Sequence, residues 1–227
     1  MKPPIAQDFN QIIQIPIDGI KLEASLMIPS KASGVVLFAH GSGSSRHSPR
    51  NNFVAESLQS AGIGTLLLDL LTLNEDRLYE SRFDIDLLTW RLERVTQWLM
   101  DQPQSRSLAL GYFGASTGAA AAFNAAAFFG PAIGSVVSRG GRPDLAISAL
   151  PRVQSPTLLI VGGLDDAVIE LNRQAYEQLK VEKYLAVVPG ATHLFEEPGA
   201  LQEVARLAAQ WFKWNLGRET GARRDCR

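Results

Sequence analysis

The sequence has almost none of the residues from which disulfide or metal frameworks are built. It holds one cysteine, Cys226, close to its end, so no intramolecular disulfide and no thiolate metal cluster can form. That fits a reducing compartment, and a cytoplasmic protein is expected. The three histidines, His40, His47 and His193, lack a carboxylate partner at ligand spacing, so neither a metal nor another cofactor is expected. The net charge is only -1, which gives no basis for binding nucleic acid or a membrane surface. Residues 1–10 carry two prolines and an aspartate but no apolar run, so no signal peptide is read there. Charge is also missing from Ser107 to Ser138, a length that raises the question of a membrane span. Gly111, Gly114, Gly118, Gly130 and Pro131 break this stretch into strand-like and helix-like pieces. A buried strand–turn–helix–strand unit is therefore expected.

What is present is an ordinary soluble composition of 227 residues, 46% hydrophobic and 20% charged, enough for one α/β domain over residues 1–216. The tail, Gly217 to Arg227, has four arginines and little apolar content and is expected to be disordered. Gln11 to Ile17 and Ile20 to Ile28 read as strands joined by the Asp18-Gly19 turn, a strong hairpin signal. Short apolar runs at 35–39, 65–70, 108–113, 133–138, 157–161 and 184–188 read as buried strands. Helical spacing appears at 52–60, 84–100, 116–129, 167–180 and 200–216. Four tryptophans, Trp90, Trp98, Trp211 and Trp214, fall in those helices and read as core. The alternation predicts an α/β fold: a mostly parallel, twisted eight-stranded sheet, an N-terminal antiparallel hairpin, helices on both faces and no large cap domain.

In such sheets reactive loops lie after the strands. Gly114-Ala115-Ser116-Thr117-Gly118 sits between a strand and a helix. A serine hydroxyl is a weak nucleophile and needs a base; a sharp strand-to-helix turn exposes it to one, and the helix N-terminus favours an oxyanion beside it. The same residues could instead be a serine N-cap with packing glycines. Asp165-Asp166 and His193 follow later strands, giving the chain order Ser, Asp, His. In that order the histidine takes and returns the serine proton, and the aspartate orients the ring. Asp165 could equally cap the following helix, and His193 could be a hydrogen-bonded loop residue. His40-Gly41-Ser42-Gly43 follows the third strand, where a second oxyanion N–H is commonly supplied. This nominates the backbone N–H groups of Ser42 and Thr117. His40 reads as a shaper of the loop, the alternative being that it is the base.

On these motifs, His-Gly-Ser-Gly at 40–43, Gly-Ala-Ser-Thr-Gly at 114–118, Gly-Gly-Leu-Asp-Asp at 162–166 and Gly-Ala-Thr-His-Leu-Phe at 190–195, the chain resembles the dienelactone-hydrolase-like branch of the α/β-hydrolase superfamily. The resemblance implies Ser116 as nucleophile, Asp165 (rather than Asp166, from its spacing to Gly162) as acid, and His193 as base. It departs from authentic dienelactone hydrolases, whose nucleophile is cysteine; ordinary ester chemistry on a small-molecule substrate is implied instead. The segment 40–50 is also similar to domains fused to phosphoribosyltransferases.

Arg46, His47 and Arg50 follow the first loop, and Arg139 and Arg142 follow the sixth strand. Arginine forks suit carboxylate or phosphate, so Arg46, Arg139 and Arg142 are candidate substrate contacts. The alternative is that they pair with Asp69, Asp76 or Asp144 and hold loops. The expected activity is a serine carboxylester hydrolase forming an acyl-enzyme. A thioesterase or acyltransferase would use the same residues, and a non-catalytic partner of a phosphoribosyltransferase is the rival of a different class.

Overall fold

The computed structural model describes residues 7–217; residues 1–6 and most of the tail, with Cys226, lie outside the described residues. Two antiparallel strands, β1 (Phe9–Ile17) and β2 (Ile20–Ile28), form the predicted hairpin. Asp18 and Gly19 both take positive φ, the conformation a two-residue hairpin turn requires. On β2 burial alternates, with Leu22, Ala24, Leu26 and Ile28 facing inward. The strands β3 (Gly34–Ala39), β4 (Gly64–Leu68) and β7 (Thr157–Gly162) are buried throughout, as strands covered on both faces must be. With β5 (Ala109–Ala115), β6 (Ile133–Arg139) and β8 (Lys183–Val188) they complete an eight-stranded sheet of order β1-β2-β4-β3-β5-β6-β7-β8. All pairings from β4 to β8 are parallel.

Helices cover both faces. On one side α3 (Ile85–Asp101) and α4 (Thr117–Phe129) share a cluster with Leu37, Leu66, Tyr112 and Val136. On the other, α1 (Pro49–Ser60) and α6 (Ala200–Leu216) pack on Phe38, Phe113 and Val137. Burying each such aliphatic or aromatic side chain contributes about 1.5–3 kcal/mol. The uncharged stretch from 107 to 138 is therefore β5–α4–β6; α4 is apolar all round because it is buried all round. Among the described residues no helix is long and apolar enough to cross a membrane.

Some boundaries moved for local reasons. The first helix begins at Pro49 rather than Asn52, because the Ser48 hydroxyl accepts from Asn51 N–H at 3.3 Å and proline suits the first turn. The long irregular stretch at 71–83 contains a 3-10 turn, Glu75–Arg77, and a short helix α2 (Tyr79–Phe83). Glu75 fastens it, accepting from buried Arg91 at 2.7 Å and from Thr72 N–H at 2.8 Å. Trp90, Trp98 and Trp211 pack against the core, whereas Trp214 is 62% exposed, against expectation, because it falls on the solvent side of α6.

His40 closes the end of β3. It is buried, its Nδ1 lies 3.0 Å from the Gly41 carbonyl, and its Nε2 accepts from Leu70 N–H at 3.1 Å. The ring is therefore neutral with the proton on Nδ1, and both nitrogens serve backbone, as a shaper of the loop would. Burial holds its pKa below the ordinary histidine value. A depressed folded value means this contribution is complete above about pH 6.5 and is lost as pH falls from there through the folded pKa. We expect His40→Ala to cost about 1–3 kcal/mol at pH 8 and to flatten the loss of stability between pH 7 and 5. Urea unfolding at several pH values measures both, and an unchanged pH slope would contradict the role.

Candidate functional site

Strand register carries the motif-bearing loops to one sheet end. Ala39 pairs with Gly114, Ala115 with Arg139, Arg139 with Ile160 and Gly162 with Val188. The loops that follow these residues thus open along a single edge, on either side of the point between β3 and β5 where the strand order reverses. Ligands bind at that point in open α/β sheets.

Ser116 is not the first turn of a helix. It sits between β5 and α4 with φ 50° and ψ -122°, and its side chain makes no capping hydrogen bond, so the N-cap alternative fails. A residue with a Cβ holds this backbone only under constraint. The constraint is visible: Ser116 N–H donates to the Arg139 carbonyl at 3.3 Å, and its carbonyl accepts from Ala119 and Arg142 N–H, each at 3.1 Å.

Asp165 stands at the N-terminal boundary of α5 (Asp166–Gln178) but makes no side-chain cap either. Its Oδ2 instead accepts from His193 Nδ1 at 2.6 Å. The carboxylate is mostly buried and the ring about two-fifths exposed. With the Nδ1 proton donated in a hydrogen bond to Asp165, Nε2 carries the free lone pair. Ser116 and His193 flank one dipeptide, Arg139-Gly140. The former bonds the Arg139 carbonyl, and the latter lies so close to Gly140 that a Cβ there would stand 3.4 Å from His193 Nδ1 and Cε1.

The expected oxyanion donors are neighbours. Ser42 N–H is already engaged, donating to Thr117 Oγ1 at 3.0 Å. Thr117 is the first residue of α4, whose opening N–H groups have no intrahelical acceptor.

The candidate arginines separate. Arg46 is not a free cation: its Nη1 pairs with Asp69, and Nη2 lies 3.1 Å from Glu23. Arg142 is held in a two-pronged pair with Asp144 at 2.8 and 2.7 Å, which raises its pKa. Both pairs match the alternative reading, in which these arginines hold loops through Asp69 and Asp144. Arg139 alone among the three has no carboxylate partner within the described residues. A cavity of about 790 Å³ is lined by Glu23, His40, Arg46, Asp69 and Leu71; Ser116, Asp165 and His193 do not line it. Tyr79 and Phe83, with ring centres 4.8 Å apart, pack on each other and remain exposed. Sequence reasoning missed Asn172, buried on α5, whose Nδ2 reaches the Gly141 carbonyl at 3.1 Å and braces the loop after β6. A polar residue on an otherwise apolar helix face was the available signal. No group of three or more histidine, cysteine or acidic residues that could hold a metal occurs among the described residues.

A parallel sheet flanked by helices, with a strained serine at a strand-to-helix turn and an Asp–His pair on later loops, defines an α/β hydrolase. The chain belongs to the Dienelactone hydrolase family, which matches residues 22–216. It is similar to dienelactone hydrolase from Anabaena variabilis at 54% identity and a TM-score of 0.89, over 92% of this chain and 99% of that one. Est1E from Butyrivibrio proteoclasticus shares the fold, with 17% identity and a TM-score of 0.79 over 91% of this chain and 99% of that one. The chain is also 54% identical to the protein named "Putative phosphoribosyl transferase Rv0571c" from Mycobacterium tuberculosis, over 92% of this chain and 47% of that protein. It thus spans about half the length of that curated relative.

The contact between elbow and first loop depends on Gly118, where a Cβ would stand 2.1 Å from the Ala39 carbonyl oxygen and 2.5 Å from that of His40. Gly118→Ala is expected to destabilise the fold by about 3 kcal/mol, at the upper end for overpacking, because backbone must move. A urea midpoint equal to wild type would refute this.

Proposed function

We propose that the chain is a serine carboxylester hydrolase acting on small soluble esters through an acyl-enzyme. The observation that carries the reading is the 2.6 Å hydrogen bond from His193 Nδ1 to Asp165, beside a serine held at φ 50°. In this reading His193 Nε2 removes the Ser116 proton as Oγ attacks the ester carbonyl. Asp165 stays ionised, keeps the ring in the correct tautomer and stabilises the imidazolium. The tetrahedral oxyanion forms at the opening of α4, where Thr117 N–H and the helix dipole oppose its charge. Ser42 N–H joins once the Thr117 hydroxyl rotates away and releases it. His193 then returns the proton to the leaving alcohol, and a water deprotonated by the same nitrogen releases the acid.

The histidine–aspartate pair and the elbow are equally suited to a thioester, and to transfer onto an acceptor other than water. A role as the partner of a phosphoribosyltransferase draws on one observation, the relative bearing that name, of which this chain spans about half. A cytoplasmic setting and a single domain over residues 1–216 complete the proposal.

Steady-state hydrolysis of short-chain p-nitrophenyl esters and the matching thioesters tests it. Ser116→Ala and His193→Ala are each expected to lower kcat/KM by on the order of a thousandfold or more while retaining the wild-type unfolding midpoint. Turnover near the wild-type rate in either variant would overturn the mechanism.

A further inference from the structure

Arg139 stands apart from the other arginines near the site. It is 8% exposed, and neither its Nε nor its Nη1 has a hydrogen-bond partner. The Phe195 ring has its centre 5.9 Å from the guanidinium carbon, and a second cation, Arg50, acts on its charge. Arg50 itself has one carboxylate, Glu196, at 2.7 Å from Nη1, and that glutamate is largely exposed; Arg50 Nε is buried without a partner. Burial, reinforced by Arg50, pushes the Arg139 pKa down to about 10, so it still carries its charge at neutral pH. A buried guanidinium near another cation with two of its nitrogens unpartnered is costly. Buried charges are ordinarily paired, and the buried Arg91, whose Nε and Nη1 are also unpartnered, still has the Glu75 carboxylate at 2.7 Å from Nη2.

The position is as informative as the lack of a partner. The Arg139 carbonyl holds the Ser116 N–H, the next residue borders the His193 ring, and Phe195 lies two residues beyond that histidine. The guanidinium is thus rooted between the proposed nucleophile and base, and lies toward the start of α1, where Arg50 occupies the first turn.

We propose that Arg139, with Arg50, forms an anion subsite beside Ser116 and His193 that takes a carboxylate or phosphate group of the substrate. Resting on the hydrolase reading above, it narrows the substrate class to esters that carry a negative charge near the scissile bond. The anion supplies the acceptors that Arg139 lacks, and its binding energy orients the carbonyl at the elbow. Glu196 competes for Arg50 in the empty site. The Phe195 ring flanks the guanidinium and limits its hydration.

Two measurements test this together. The first compares kcat/KM for methyl hydrogen succinate and dimethyl succinate, which differ in one charge. The second measures binding of succinate and of inorganic phosphate to Ser116→Ala by calorimetry, with no turnover needed. Wild type is expected to favour the anionic ester. Arg139→Met should lower the anionic-to-neutral ratio by at least about tenfold and weaken anion binding by a similar factor, the scale of a charged hydrogen bond. Arg139→Lys should restore part of both, and Glu196→Gln should tighten anion binding by freeing Arg50. The tighter of succinate and phosphate identifies which group the subsite takes. If Arg139→Met does not fold, Arg50→Met, at a partly exposed position, is expected to lower the same ratio and decides the matter. Anion binding that depends on Arg139 without turnover of either ester would sustain the subsite and remove the ester reading. Hydrolysis of both esters with a ratio indifferent to Arg139 and Arg50, or no anion binding to Ser116→Ala, would overturn the subsite and leave the hydrolase reading in place.

Discussion

The backbone of Ser116 is held at φ 50° and ψ -122°, a conformation that costs a residue with a side chain about 1–3 kcal/mol. It persists because three backbone hydrogen bonds tie it to the end of β6, to the loop after it and to α4, and because Gly118 lets the helix start against the end of β3. Everything proposed for the site follows from that geometry. It aims the opening of α4 at the point beyond the strand, and it brings Thr117 within hydrogen-bonding distance of Ser42. It also makes the Arg139 carbonyl a direct support of Ser116. Relaxing it would dissolve the elbow even with all the named side chains still in the sequence.

Around that point the polar residues divide by what they hold. His40, Glu75, Arg46 and Arg142 spend their hydrogen bonds on neighbouring loops. Asp165 declines the cap its position offers and accepts from His193. Arg139 is buried with two donors unspent. Arg46, Arg91 and Arg142 each have a carboxylate partner, so a buried guanidinium without one at the sheet edge is where a ligand's chemistry is to be sought.

Much of the fold was legible because its signals are local. The Asp18-Gly19 turn, the alternation on β2 and the uninterrupted apolar runs of the parallel strands each declare themselves within a few residues, and the order of elements then implies the sheet. Strand neighbours are set by packing between distant segments, so only the structure shows that β4 lies between β2 and β3. The site was legible as loops in order, each after a strand, and Asp165 and His193 meet in space. Less visible was the state of each group. Nothing in Ser42 as a letter tells that Thr117 occupies its N–H. Three arginines near strand ends look alike in sequence. Glu23, twenty-three residues upstream, and Asp144, two residues downstream, decide that Arg46 and Arg142 are committed while Arg139 is not.

The central claim is that Ser116 is a nucleophile activated by His193. Its most direct test is covalent labelling of the intact protein with a fluorophosphonate, followed by mass spectrometry of the peptide spanning residues 107–138. The account predicts one adduct, on Ser116, absent in Ser116→Ala and formed far more slowly in His193→Ala. A wild-type protein that takes no label, or that carries it on another residue, would contradict the account.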